Sequence, residues 1–579
     1  MGSTDKYEVI ESLLDDPVNH PLKVIGIGCG ISGIMMAYKI QKNCQNVELI
    51  IFDKNADVGG TWFENRYPGA GCDIPSHAYS YNFALYPEWP NYCSFGQDIR
   101  EYLNKVCEVF GLRKYMQFNS EVTKSEWDEL ESKWKVTVQQ KLPNGENFTI
   151  HTTCDILLFA TGVLNSTKWP EIDGLKEFKG KLIHTSNWPE DYQKEQWAKD
   201  KIAVLGSGAS SFQTPYAESL DCFIRTGAWF TAIMDNFGMY HKYSEEDKKR
   251  FREDPEALVA HAKSLEKEMA WAVDIMTINS KSQLEARKIF GDRMREHIKD
   301  ERLYKGFLPP WGVGCRRITP GDPYMKAIQE DNVNVHFTAA KALTEKCVVG
   351  EDGVEREVDT VVCATGFDTS YRPRFPIIGK GGINLQDQWN NEPDAYYGIT
   401  VPNMPNFYLF MGPAWPVHNS SVIGPLIQVG NYIVQCIHKM QREQIKSLTP
   451  HEDATAAFNV HYQKWLERTI WTDNCPSWFK NKRTGRLNSL WCGSGLHYTE
   501  AIIAPKFEDY HIEYKYDNPF TYLGSGFTIA EKTKGMNPTP FLEESELDPL
   551  WVSAMKNSGK EKESEANKMV YCASCDFPR

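Results

Sequence analysis

Gly28, Gly30 and Gly33 in "GIGCGISG" have the spacing GxGxxG. The apolar run "KVIGIG" leads into them, and helical apolar spacing at Ile31, Ile34, Met35 and Tyr38 follows. Gly28 permits a tight turn. Gly30 lets a pyrophosphate approach the backbone, and Gly33 lets the helix pack closely on the strand. Ile31 and Ser32 sit in the same turn at a helix N-terminus, which favours phosphate charge. Asp53 ends the next strand-like run, "VELIIFD", twenty residues after Gly33. A carboxylate there accepts hydrogen bonds from a free ribose hydroxyl, which suits FAD or NAD rather than NADP.

A second turn follows "KIAVL": Gly206, Ser207, Gly208, Ala209, Ser210 and Ser211. Ser211 replaces the last glycine of the pattern but is still small. The next strand-like run, "DCFIRT", ends in Arg225 and Thr226 rather than in an acid. A cation and a hydroxyl suit a 2′-phosphate, so this turn reads as an NADPH site. Two turns of opposite ribose chemistry imply that NADPH reduces FAD. No CxxC lies near either turn to take the electrons onward, which leaves dioxygen as the leading acceptor.

Elements that must position these turns are legible around them. "DILLFATG" is a further buried strand ending in a glycine turn, and "VNVHF" and "TVVCATG" restore strand character late in the chain. Residues 231–310 are charged and rich in helical pattern. The fold class is α/β, with two Rossmann-like dinucleotide-binding domains and a helical insertion. The expected division is 20–165 with 375–520 for FAD, 166–230 with 311–374 for NADPH, 231–310 for the insertion, and a mobile tail over 532–579. Residues 1–20 read as a loose arm or short helix.

Composition excludes several classes. The net charge of -13 over 579 residues argues against nucleic acid as a partner. No apolar run predicts a membrane span, and the N-terminus has no signal-peptide pattern. Fifteen scattered cysteines fit reduced thiols and a cytoplasmic setting. Cys572 and Cys575 form a CxxC without a second pair, so no metal site is assigned.

"FKGKLIHTSNWP" carries Phe178, Gly180, His184 and Trp188 in the spacing FxGxxxHxxxW, and "GGTWFENRYPGAGCD" matches GGxWxxxxYPGxxxD. "ATG" occurs at Ala160–Gly162 and Ala364–Gly366. With these motifs the chain resembles the Type I (class B) flavin-dependent Baeyer–Villiger monooxygenases, of the fungal kind, from about Lys23 to about Tyr498. The resemblance implies oxygen insertion beside a ketone carbonyl through an FAD C4a-peroxide, using NADPH and O2, with a bulky apolar ketone of secondary metabolism as substrate. It puts Gly60, Thr61, Trp62, Cys72, Asp73, Ile74 and Tyr79 at the flavin. It makes Arg317 the active-site arginine with Asp73 as its partner, puts Arg316 at the 2′-phosphate, and sets Trp478 near the nicotinamide. The fingerprint at 178–189 reads as a hinge between the two domains, with His184 and Trp188 as anchors and Gly180 giving freedom to bend. Two alternatives stay open: an N-hydroxylating or S-oxygenating flavin monooxygenase, and an inactive flavoprotein scaffold.

Overall fold

Leu22–Ile27 is buried along almost its whole length, because it lies at the centre of a five-stranded parallel sheet. The order is Phe407–Leu409, Ile156–Phe159, Leu22–Ile27, Val47–Phe52, Met116–Gln117. A central parallel strand is covered on both faces, so it must be apolar throughout. Helix Ile31–Asn43 returns the chain across this sheet and buries Ile34, Met35, Ala37 and Ile40. The structure is a computed structural model that describes residues 7–206, 208, 218–231, 241–269, 273–416 and 421–561.

A second five-stranded parallel sheet runs Val333–His336, Ser219–Phe223, Lys201–Leu205, Thr360–Cys363, Lys181–His184. Only after it is complete does the chain return to the first sheet through Phe407–Leu409. The fold is therefore mixed α/β with two Rossmann-like parallel sheets, the second threaded into the chain of the first. An antiparallel sheet of Ser120–Asp128, Lys133–Lys141 and Asn147–Cys154 flanks the first. Trp134, fully buried, donates its indole N–H to the Pro405 carbonyl at 2.7 Å and ties this sheet to the strand at 407.

Between the strands at 219–223 and 333–336 lie helices Glu245–Glu253, Pro255–Met269, Lys281–His297 and Glu301–Phe307. Ser244, Ser280 and Asp300 cap three of them by accepting N3 backbone N–H groups. Among the described residues no helix is long and apolar enough to cross a membrane.

Pro17–Pro519 forms one compact unit. Residues up to Asp16 and from Phe520 onward form another. Within that second unit Leu14 N–H donates to the Phe527 carbonyl and Ser525 N–H to the Ser12 carbonyl, both at 2.8 Å. The N-terminal stretch, expected as a loose arm or short helix, is thus paired at Ser12 and Leu14, and Pro17–Asn19 forms one short 3-10 turn. Pro549–Glu561 of the tail is a helix. Cys572 and Cys575 lie outside the described residues.

The fingerprint stretch also differs from expectation. Lys181–His184 is the edge strand of the second sheet, paired in register with Thr360–Cys363. It belongs to one domain rather than linking two. The strand has only four residues, too few for a period to show in the sequence.

Candidate active site

The first glycine turn is held by contacts that no side chain could share. Gly28 has φ +111°, and a Cβ there would meet the Ala160 carbonyl oxygen at 2.5 Å. A Cβ on Gly33 would lie 2.0 Å from the Gly28 oxygen, so Gly33 is the packing glycine between helix and strand. Gly60, at φ +51°, faces Gly30: its Cβ would fall 2.9 Å from the Gly30 Cα. A cavity of about 350 Å³ opens here, within the range of cofactor sites. Gly28, Gly30, Ile31, Ser32, Asp53, Gly60, Thr61, Trp62 and Tyr79 line it. Gly33, Cys72, Asp73 and Ile74 do not.

Asp53 is buried and accepts the backbone N–H groups of Cys29 at 2.6 Å and Asn55 at 2.8 Å. Burial raises its carboxyl above the usual range, and these two donors oppose the rise. Trp62 donates its indole N–H to the Tyr79 hydroxyl at 3.3 Å, edge to face. The glycine-floored cradle, buried acid and aromatic wall fit a flavin dinucleotide. Lys54, Tyr371, Arg374, Met411 and Leu426 line the same cavity. Sequence reasoning missed them: Lys54 simply follows Asp53, and "SYRPRFP" and "FMGPAW", which carry no motif, reach the cavity only where the chain returns to the first sheet.

The second turn shares its design. Gly206 has φ +140°, and a Cβ there would lie 2.4 Å from the Ala364 oxygen. Gly208 is described, whereas Ser207, Ala209, Ser210 and Ser211 lie outside the described residues. The strand ends at Phe223, two residues before Arg225, so Arg225 and Thr226 stand in the loop beyond it. Arg316 donates to the Thr226 hydroxyl at 3.3 Å and to the Gly227 carbonyl at 3.2 Å. Burial, and then the charge of Arg225, pull the Arg316 pKa down. Two guanidinium groups and a hydroxyl, from positions ninety apart, thus converge on one spot. Positive charge gathered there suits a 2′-phosphate.

Arg317 grips Asp73 as a fork: Nε donates to Oδ2 and Nη2 to Oδ1, each at 2.8 Å. The Arg317 side chain keeps 35% exposure and Asp73 20%. The charge of Asp73 raises the guanidinium pKa still further. Cys315, two residues before Arg317, is disulfide-bonded to Cys475. This corrects the expectation of reduced thiols throughout. Trp478, three residues beyond Cys475, is half-buried and leans on Phe479 with 4.9 Å between ring centroids. The bond joins the arginine pair and the Trp478 segment at one place.

The fingerprint residues, expected as a hinge, are closely packed. Phe178 lies in a core with Ala203, Leu205, Phe223 and Val361. A Cβ on Gly180 would meet the Asp359 oxygen at 2.3 Å and the Phe178 ring at 2.6 Å. Gly180 therefore serves close approach, not backbone freedom. His184 is buried, with Nδ1 bonded to the Ser186 hydroxyl at 2.8 Å and its ring against Trp169 and Phe367. Burial lowers its pKa. Trp188 donates its indole N–H to the Tyr192 carbonyl at 2.8 Å.

Two parallel nucleotide-type sheets, one with a glycine-floored cradle and one with a cationic pole, define an oxidoreductase that brings two dinucleotides together. The family model for FMO-like, flavin-binding monooxygenase-like proteins matches residues 22–236. The FAD-binding monooxygenase moxY of Dothistroma septosporum is 52% identical over 547 residues, covering 93% of this chain and 87% of that protein. A Baeyer–Villiger monooxygenase of Pseudomonas aeruginosa is 31% identical over 478 residues, 81% of this chain and 88% of that one. The closed crystal structure of cyclohexanone monooxygenase superposes with a TM-score of 0.73 at 25% identity, over 86% of this chain and 99% of that chain. The chain belongs to the flavin-binding monooxygenase-like family.

Proposed function

We propose that this chain is a Baeyer–Villiger monooxygenase that converts a bulky apolar ketone of secondary metabolism to an ester or lactone, with NADPH and O2 as co-substrates. FAD and NADPH are its cofactors. The observation that carries the ketone reading is the Arg317–Asp73 fork, buried enough to be fixed and exposed enough to be reached.

Gly28, Gly30, Gly60 and Asp53 would hold the flavin dinucleotide, and Arg225, Thr226 and Arg316 the NADPH 2′-phosphate. When bound, the flavin supplies two-electron transfer from NADPH and the activation of O2. Arg317 keeps its charge at every working pH. It would stabilise the negative charge that develops on the substrate carbonyl oxygen, a contribution of about 3 kcal/mol for one well-placed donor. Asp73 takes two of its five N–H donors and so fixes the plane of the guanidinium. Oxygen transfer to an amine or sulfide develops no such carbonyl oxyanion and needs no fixed guanidinium.

The test is a panel of cyclic and open ketones, amines and sulfides with NADPH and oxygen, scored by product mass. Esters or lactones one oxygen heavier than the ketone support the reading. Turnover of amines or sulfides alone would replace it with the N-hydroxylating or S-oxygenating alternative.

A further inference from the structure

Cys315 and Cys475 are 160 residues apart, with Cα atoms at 6.3 Å. The segment before Arg316 is gripped from two sides at this point. On one side Gln283, from helix Lys281–His297, accepts the Val313 N–H at 2.9 Å and donates back to the Val313 carbonyl at 3.1 Å. On the other, Asp473 accepts the Gly312 N–H at 2.8 Å, and Trp471 donates its indole N–H to the Gly314 carbonyl at 3.0 Å. Lys480, two residues past Trp478, donates to the Asp473 carbonyl. The disulfide is the one covalent link in this set. Individual hydrogen bonds of this kind contribute little net stability each; the segment is also anchored by the buried Trp471 and Phe479, and the disulfide is what ties it covalently to the arginine pair. Among the described residues the other eleven cysteines are unbonded, so the bond marks this place and not a generally cross-linked chain.

We infer that the Cys315–Cys475 disulfide is a positioning clamp, closed by oxidation, that holds Arg317 and the Trp478 segment in working register. The inference rests on the role given to Arg317 above. Closure is a two-electron oxidation: two thiols lose two protons and two electrons to hydrogen peroxide, which leaves as two waters. The peroxide has a source in the enzyme's own reactants, because NADPH, a proton and O2 yield NADP+ and hydrogen peroxide whenever no oxygen is transferred. An open clamp that lets oxygen go unused thus generates the oxidant that closes it. Once closed, the bond is shielded, with Cys315 at 0% and Cys475 at 5% exposure.

The test uses the FAD-loaded full chain. Peptide mapping of protein treated with hydrogen peroxide, alkylated without reductant, is expected to show Cys315 joined to Cys475. Two alkylated peptides would overturn the proposal. Cys315→Ser and Cys475→Ser are each expected to keep FAD and anaerobic flavin reduction by NADPH. Their peroxide release in air without any ketone should rise several-fold. An unchanged peroxide rate overturns the clamp. Should the serine variants lose FAD, the wild-type protein reduced with a phosphine, freed of it, shown by alkylation to carry both thiols and then reoxidised gives the same readout: a rise on reduction that reverses on oxidation supports the clamp, and no change overturns it. Because this measurement needs no ketone, a clamp-dependent rate with no ester from any ketone would sink the ketone reading and leave the clamp standing.

Discussion

Arg317 and Asp73 stand 244 positions apart in the chain and meet through two parallel hydrogen bonds of 2.8 Å. The fork joins the last residue of "GGTWFENRYPGAGCD" to the run after the helical segment, "GCRRI". It makes the guanidinium a fixed object rather than a mobile surface charge.

Arg317→Ala is therefore expected to separate the two halves of turnover. NADPH should still bleach the yellow protein without air, while ester formation falls at least about 100-fold. Arg317→Lys should not restore it, since a lysine cannot form the fork. Asp73→Asn should give an intermediate loss with flavin reduction kept. Stopped-flow absorbance together with product mass checks all three.

Cofactor choice should follow the cationic pole. Removing Arg316 or Arg225 takes away a charge-assisted contact of about 1.5–3 kcal/mol, which is roughly a 10- to 100-fold rise in KM for NADPH. KM for NADH, which lacks the 2′-phosphate, should not rise. Steady-state rates with both nucleotides give the answer, and equal rises would remove the 2′-phosphate role.

Gly180 tests packing against bending. Gly180→Ala puts a Cβ 2.3 Å from the Asp359 oxygen, an overpacking cost of about 1–3 kcal/mol. Tm should fall by about 1–3 °C, whereas the ratio of product to NADPH consumed should stay unchanged in the surviving fold. A loss of coupling with no loss of Tm would restore the hinge.

Acid should destabilise the chain partly through His77. This ring is buried against Tyr243, Phe251 and His261. Burial pushes its pKa from 6.5 to about 3, and His261 is shifted down as well. A lowered folded-state pKa means that the stabilising contribution is complete above about pH 6.5 and is lost as pH falls toward about 3. The slope from one such group approaches about 1.4 kcal/mol per pH unit. His77→Phe should flatten the change in urea midpoint between pH 7 and pH 5. An unaltered slope would show that His77 does not carry it.

The first glycine turn was legible because its constraint is local: a strand, a turn at positive φ and a helix follow one another, and only glycine tolerates the contacts at Gly28 and Gly33; Gly206, at positive φ directly after its strand, is constrained in the same local way. Asp53 was legible for the same reason, at the end of the next strand. Lys181–His184 was misread because an edge strand of four residues shows no period, and its partner Thr360–Cys363 lies far along the chain. The cavity walls at Tyr371, Arg374 and Met411 were invisible because they arrive by return of the chain, not by a motif.

By itself the sequence determined two glycine turns, one followed by an acid at Asp53 and the other by Arg225 and Thr226, since backbone sterics at a turn act over short range. The tertiary structure alone decided which distant groups meet: Thr226 with Arg316, Arg317 with Asp73, Cys315 with Cys475. Each pairing depends on how two sheets and the helices between them pack, and the energy of that packing is shared over many buried residues and written in no single stretch.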